Sequence, residues 1–192
     1  YRRAKFLYQT AKIIVNQYGG KLPNNYETLI NFPGIGDYTA KTLLAIIFNK
    51  PLIGIDGNVK RVIQRVFYLK SSKNLLQSIH KSTKKLRYKK NNSELMQGLM
   101  ELGALICKPN NPKCYTCPIK KNCKSRISDK VLSYPLKNKK NKIPHLIVGA
   151  AVIKDPKKGF LIAQRKKNKM LGGLWEFPGG KKEKNESIKE CI

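Results

Sequence analysis

Three sets of residues have the types and spacing for chemistry. Asp56-Gly57-Asn58 puts a carboxylate beside an amide at the head of an amphipathic segment. An Asp there can cap a helix by accepting from a backbone N–H near its start, and a capping carboxylate can also serve as a working anion. Pro33-Gly34-Ile35-Gly36 is a tight Gly-x-Gly turn ahead of a second apolar-periodic segment. Outward amides of such a hairpin, joined to a helix start, suit a phosphate. Cys107, Cys114, Cys117 and Cys123 follow in the pattern C-x6-C-x2-C-x5-C. Four thiols in one short loop point to a metal or cluster. Only Cys114 and Cys117 form a close pair, whereas structural zinc sites usually show two. The spacing by itself leaves both all-thiolate zinc and an iron–sulfur cubane open.

Helices must position these groups. Residues 1–18 carry Ala4, Leu7, Tyr8, Ala11, Ile14 and Val15 as one predicted apolar face, ended by Gly19-Gly20. Residues 26–32 form a short half-apolar segment. The helix after the hairpin carries Ala40, Leu43, Leu44 and Ile47, with Asp37 as its predicted cap. The helix opened by Asp56 has Val59, Val62, Ile63, Val66 and Phe67 on its apolar face. Lys60, Arg61, Gln64 and Arg65 are predicted on its polar, mostly cationic face. Residues 74–86 and 93–106 read as further helices, the second capped by Ser93, and His80 reads as a surface histidine. Residues 125–144 are polar, basic and proline-bounded, as expected of a linker. From 145 onward the texture is β-rich. The run 146–153, the turn 155–159 and the run 160–163 predict a hairpin.

The 192 residues include 40 Lys and Arg against 11 Asp and Glu, a formal net charge of +29. That fits a polyanion binder, and it equally fits a general lysine bias. No apolar run approaches membrane-spanning length. Cysteines without a secretory context point to a cytosolic, reducing compartment. The chain opens mid-helix without Met and stops abruptly, which reads as a piece of a longer protein.

Residues 32–67 resemble the heart of the helix–hairpin–helix DNA glycosylases, and within them the adenine DNA glycosylases. The run Ile55-Asp56-Gly57-Asn58-Val59-Lys60-Arg61-Val62 and Tyr38 carry the likeness. In the endonuclease III branch the position matching Tyr38 is a Schiff-base lysine. A tyrosine cannot form that imine, so the resemblance implies a monofunctional enzyme. Lys41 does not match that position. The implied fold is a mainly α glycosylase domain over 1–124, a basic linker over 125–144 and the start of an α+β Nudix-like domain over 145–192. Within the last, Gly180 to Glu186 matches the opening G-x5-E of the Nudix signature. The cysteine spacing is similar to the family's 4Fe–4S loop, which implies that cofactor on Cys107, Cys114, Cys117 and Cys123.

The resemblance further implies hydrolysis of the bond between deoxyribose and an adenine mispaired with guanine or 8-oxoguanine. Asp56 would stabilise an oxocarbenium-like sugar, Asn58 would help position the site, and Tyr38 would lie against the sugar. Pro33, Gly34, Ile35, Gly36, Thr39, Lys60 and Arg61 would contact double-stranded DNA. The implied protein is a bacterial, cytoplasmic monomer acting at the nucleoid. The family's proton-donating Glu matches none of the glutamates present, so the chain alone is expected to be inactive. The alternatives are a bifunctional glycosylase/lyase and a DNA-binding module without chemistry.

Overall fold

The structure, a computed structural model, describes residues 1–70, 74–86, 91–135 and 144–192. The chain divides into two compact units, Tyr1–Asn138 and Lys139–Ile192.

The first unit is helical. Helix α1 (Arg2–Tyr18) ends at Gly19, whose φ of 59° is the left-handed C-cap conformation. Helix α2 (Tyr26–Ile30) is capped by Asn25, which accepts from the Thr28 amide at 2.9 Å. The hairpin leads into α3 (Asp37–Phe48), and α4 (Gly57–Phe67), α5 (Leu75–Lys84) and α6 (Asn92–Glu101) follow. After α6 the chain widens into a π turn, Leu102–Ile106, before Cys107. A short α7 (Lys124–Ile127) follows the cysteine loop. Among the described residues no helix is long and apolar enough to cross a membrane.

Two apolar clusters hold these elements. Leu29, Phe32, Ala40 and Leu44 join α2, the hairpin and the first half of α3. Ala45, Val59, Val62, Ile63, Ile79, Met96, Leu99 and Leu102 join the rest of α3 to α4, α5, α6 and the π turn. Helix α3 thus belongs to both clusters and fixes the hairpin relative to α4. Val59, Val62 and Ile63 are completely buried, each stabilising the fold by about 1.5–3 kcal/mol.

Several expectations are corrected. Leu7, Tyr8 and Val15 on α1 are exposed, together with Ala4 and Ala11. The inward side carries Phe6, Thr10 and Ile13 instead, together with Ile14 of the expected face. The hairpin sets this choice: Phe6 packs on Gly34, and the Thr10 hydroxyl donates to the Pro33 carbonyl at 2.8 Å. The cap of α3 is Gly36, and Asp37 lies one residue inside the helix. The cap position of α6 is Asn91, while Ser93 donates its hydroxyl to the Ile46 carbonyl. Arg61, Gln64 and Arg65 are buried in α4. His80 is exposed, as expected. The first part of the expected linker is packed structure, with Ser125 and Tyr134 buried. Residues 136–143 of that linker lie outside the described residues.

The second unit contains short antiparallel pairs. Strand β1 (Val148–Ala150) pairs with β6 (Gly179–Lys181), β2 (Lys154–Asp155) with β3 (Gly159–Phe160), and β4 (Ala163–Gln164) with β5 (Trp175–Glu176). The predicted hairpin is the β2–β3 pair, extended by the Leu161 amide donating to the Ile153 carbonyl. The start of the 146–153 run pairs with β6 rather than with the run at 160–163.

Candidate active site and four-cysteine loop

Asp56 caps α4. Its backbone is extended, and its Oδ1 accepts from the Val59 amide at 2.6 Å. The helix start therefore holds the carboxylate by one oxygen, and the positive end of α4 favours its charge. Asn58, two residues on, is half-buried, and its Oδ1 accepts from Arg61 Nη2 at 2.9 Å.

Arg61 explains the π turn. In a regular helix the Cys107 amide would bond to the carbonyl four residues back, at Gly103. Here it donates five residues back, to Leu102 at 2.7 Å. The Gly103 carbonyl is thereby released and accepts from Arg61 Nη2 at 2.6 Å. Arg61 Nε donates to the Cys107 carbonyl at 2.7 Å. Burial lowers the Arg61 pKa, with Arg65 acting in the same sense and Cys107 and Asp56 opposing. The guanidinium stays a cation, since arginine is effectively always protonated. Arg61, expected to contact DNA, makes internal bonds in this structure that tie Asn58 to the cysteine loop. Lys60, its neighbour, is half-buried.

Two glycines set the walls of the site. A Cβ on Gly103 would meet Asn58 Cβ at 2.8 Å. A Cβ on Gly54, two residues before Asp56, would collide with Thr42 Oγ1 and lie 2.7 Å from the Tyr38 carbonyl. Tyr38 packs on Gly54 from the first turn of α3, and its hydroxyl lies 3.9 Å from Met100 Sδ. Tyr38, Asp56 and Asn58 are thus held by one frame of α3, the Gly54 segment, α4 and the end of α6.

The hairpin lies beside this frame. Gly34 has φ of 78°, and a Cβ there would meet Phe6 Cβ at 2.8 Å, so the position requires glycine twice over. Gly36 caps α3 without any side-chain hydrogen bond to the helix amides. Pro33, Ile35 and Thr39 are half-buried, and Gly34 and Gly36 are exposed. Asp37 accepts from the Tyr26 hydroxyl at 2.7 Å and pairs with Lys41 at 2.6 Å. Burial opposes ionisation of Asp37, but the hydrogen bonds from Lys41 and Tyr26 prevail and hold its pKa below the ordinary carboxylate value.

Cys107, Cys114, Cys117 and Cys123 line one cavity with Val62, Val66, Leu102 and Ile106. Burial raises the Cys114 thiol pKa, and the other three cysteines add to the rise. Burial likewise raises that of Cys117, against a backbone hydrogen bond at Ile119. Among the described residues no three His, Cys, Asp or Glu side chains are grouped to hold a metal ion. The donors around the cavity are all sulfur, and the charged neighbours Arg65, Lys113, Lys120 and Arg126 are all cationic. A metal centre on four thiolates carries net negative charge, which these cations would balance.

The inward roles of Arg61 and Arg65, and those of Gly54 and Gly103, were not foreseen. One signal was available for the arginines: Asn58, Arg61 and Arg65 recur at helical spacing, which puts them in one row along α4.

Comparison with known proteins gives consistent likenesses. A family profile described as a NUDIX domain matches residues 149–192. An adenine DNA glycosylase of Buchnera aphidicola subsp. Baizongia pistaciae is 33% identical over 178 residues, 92% of this chain and 49% of that protein. An adenine DNA glycosylase of Arabidopsis thaliana is 34% identical over 194 residues, covering 93% of this chain and 31% of that protein. Among solved structures, a thermostable thymine-DNA glycosylase superposes with a TM-score of 0.56 at 31% identity, over 66% of this chain and 59% of that one. The chain spans about half the length of the curated relatives it matches.

Proposed function

We propose that the chain belongs with the adenine DNA glycosylases of the helix–hairpin–helix superfamily, and that its protein removes adenine opposite guanine or 8-oxoguanine in double-stranded DNA. The observation that carries this reading is the Asp56 cap. A carboxylate fixed by the Val59 amide at 2.6 Å needs no reorientation as a sugar cation develops beside it. Base removal builds positive charge on the deoxyribose and requires the adenine to leave the duplex stack. Asp56 stabilises that charge. Asn58, steadied by Arg61, fixes the head of α4 beside it. Tyr38 lies against the sugar and offers no amine.

Lys41 is the nearest amine on α3 to that position. Its ammonium is paired with Asp37 at 2.6 Å, and a protonated, paired amine is a poor nucleophile. The reading is therefore monofunctional, leaving an abasic site. Pro33–Gly36 and the head of α3, including Thr39, grip the DNA backbone and position the enzyme without reading sequence. Lys60 adds a positive charge at that face. The protein acts as a monomer.

Cys107, Cys114, Cys117 and Cys123 would hold a 4Fe–4S cluster, supported by the all-thiol donor set and its cationic, apolar surroundings. Such a cluster supplies a structural crosslink to the loop after the π turn, and Arg61 ties that loop to Asn58.

The test uses the full-length protein and a duplex with adenine opposite 8-oxoguanine, labelled on the adenine strand. Strand breaks appearing only after hot alkali are expected. Breaks without alkali would overturn the monofunctional reading. Bound DNA with no breaks under either condition would overturn the enzymatic one.

A further inference from the structure

Arg65 is 1% exposed, and among the described residues no carboxylate pairs with it. Burying a charge is costly unless it is compensated. Its hydrogen bonds go to neutral carbonyls: Nη1 to Lys108 at 2.7 Å, Nη2 to Pro109 at 2.8 Å and Nε to Tyr134 at 2.7 Å. Nη1 also lies 3.4 Å from Cys107 Sγ, and Cys123 Sγ lies 3.6 Å from the Arg65 carbonyl. One side chain thus touches both the cysteine cavity and Tyr134, the last buried residue of the helical unit among those described. Tyr134 is seated there by its carbonyl and by its ring, whose centroid is 5.0 Å from that of Tyr68.

We propose that Arg65 couples the filling of the four-cysteine cavity to the seating of Tyr134, a coupling that rests on the four-thiolate reading given above. Thiolates around a bound anionic cluster supply the countercharge that the fold otherwise lacks at Arg65. With that charge present, the guanidinium stays extended between the loop and Tyr134. Without it, the buried cation is uncompensated and swings toward water, and Tyr134 loses the partner of its carbonyl. The chain then departs the helical unit from near α7 rather than from Tyr134. Arg65 acts here as a positioning residue for the head of the linker, distinct from Arg61, which reaches toward Asn58.

Hydrogen exchange by mass spectrometry on the full-length protein tests this, with metal content measured first. In the iron-loaded protein, chelator stripping should speed exchange over residues 128–134 by about tenfold or more, the scale of one lost charged hydrogen bond. Residues 26–48, in the other apolar cluster, should keep their rate. Arg65→Gln should reproduce the fast exchange with the visible absorbance retained, and stripping that variant should add nothing. Equal acceleration in both segments, an unchanged Arg65→Gln protein, or a full further increment on stripping the variant would each overturn the coupling. If Arg65→Gln does not fold, Tyr134→Ala serves, because coupling is reciprocal. It should lose metal to chelator faster, and an unchanged rate overturns the proposal. A protein containing neither iron nor zinc overturns the thiolate reading and the coupling together. One containing zinc overturns the cluster reading alone, and its exchange on stripping still decides the coupling.

Discussion

Replacing Gly103 by alanine puts one methyl group at the tightest contact between the π turn and α4. The new Cβ would sit 2.8 Å from Asn58 Cβ, 3.2 Å from its carbonyl carbon and 3.3 Å from its carbonyl oxygen. Carbon atoms are at ease roughly 3.5–4.0 Å apart, so a gap of about 0.7 Å or more has to open. Backbone lies among the clashing atoms, so a rotamer change cannot relieve the strain. Overpacking of this kind costs about 1–3 kcal/mol. Removing a helical glycine returns about 0.5–1 kcal/mol, which leaves a net loss on the order of 1–2 kcal/mol. Gly98, on the preceding helix, is the internal control: it is exposed, and a Cβ there meets nothing within 4 Å. Gly98→Ala should therefore stabilise. In urea the two variants should move the midpoint in opposite directions, Gly103→Ala downward by roughly 0.5–1 M. Base release by Gly103→Ala should fall further than its stability does, because Asn58 and the Arg61–Gly103 hydrogen bond are displaced together. A Gly103→Ala protein as stable as Gly98→Ala would refute the reasoning.

Asp56→Asn keeps a capping oxygen and loses the charge, so its melting temperature should stay close to the parent's while base release disappears. Asp56→Ala should lose activity and about 1 kcal/mol as well, and equal melting of the two variants would count against the cap. Thr10→Val leaves the Pro33 carbonyl without its donor and should cost about 1 kcal/mol in chemical denaturation, with DNA affinity falling as the hairpin loosens. Asp37 has a folded pKa below its unfolded value, so its contribution is present above the unfolded pKa of 3.8 and is lost as pH falls through the lower folded value. Thermal melts of parent and Asp37→Asn should therefore differ near neutral pH and converge in strong acid. The difference stays below about 1 kcal/mol because the pair is partly exposed.

The motifs that rest on local backbone rules were legible in the sequence: the Asp56 cap, the hairpin glycines, the Gly19 stop and the apolar row of α4. Each depends on residues within one turn of chain. The errors came where distant segments decide. The face of α1 follows from where the hairpin lies, so Phe6 and Thr10 turn inward and Leu7 and Val15 do not. Asp37 looked like a cap but is held by Tyr26 from another helix. Arg61 and Arg65 read only as a polar face because helical periodicity separates charged from apolar positions and cannot anticipate carbonyls supplied from beyond residue 100. The cysteine quartet was visible from spacing, while its dependence on a π turn was not, since no propensity marks Leu102–Ile106 as wider than α.

The widened turn also bears on how this chain tolerates length change. A π turn houses one more residue than the α-helical stretch it replaces. Deleting a residue from it, at Ala104 for example, would restore a regular helix that still delivers Cys107 to much the same place. The amide of Cys107 would keep the Leu102 carbonyl, then four residues back instead of five, and the Gly103 carbonyl would stay open to Arg61, which now donates to it at 2.6 Å. A one-residue deletion here would leave the cysteine loop in register and its tie to Asn58 through Arg61 in place. Related chains that lack the extra residue should therefore be able to keep arginine at the position of Arg61.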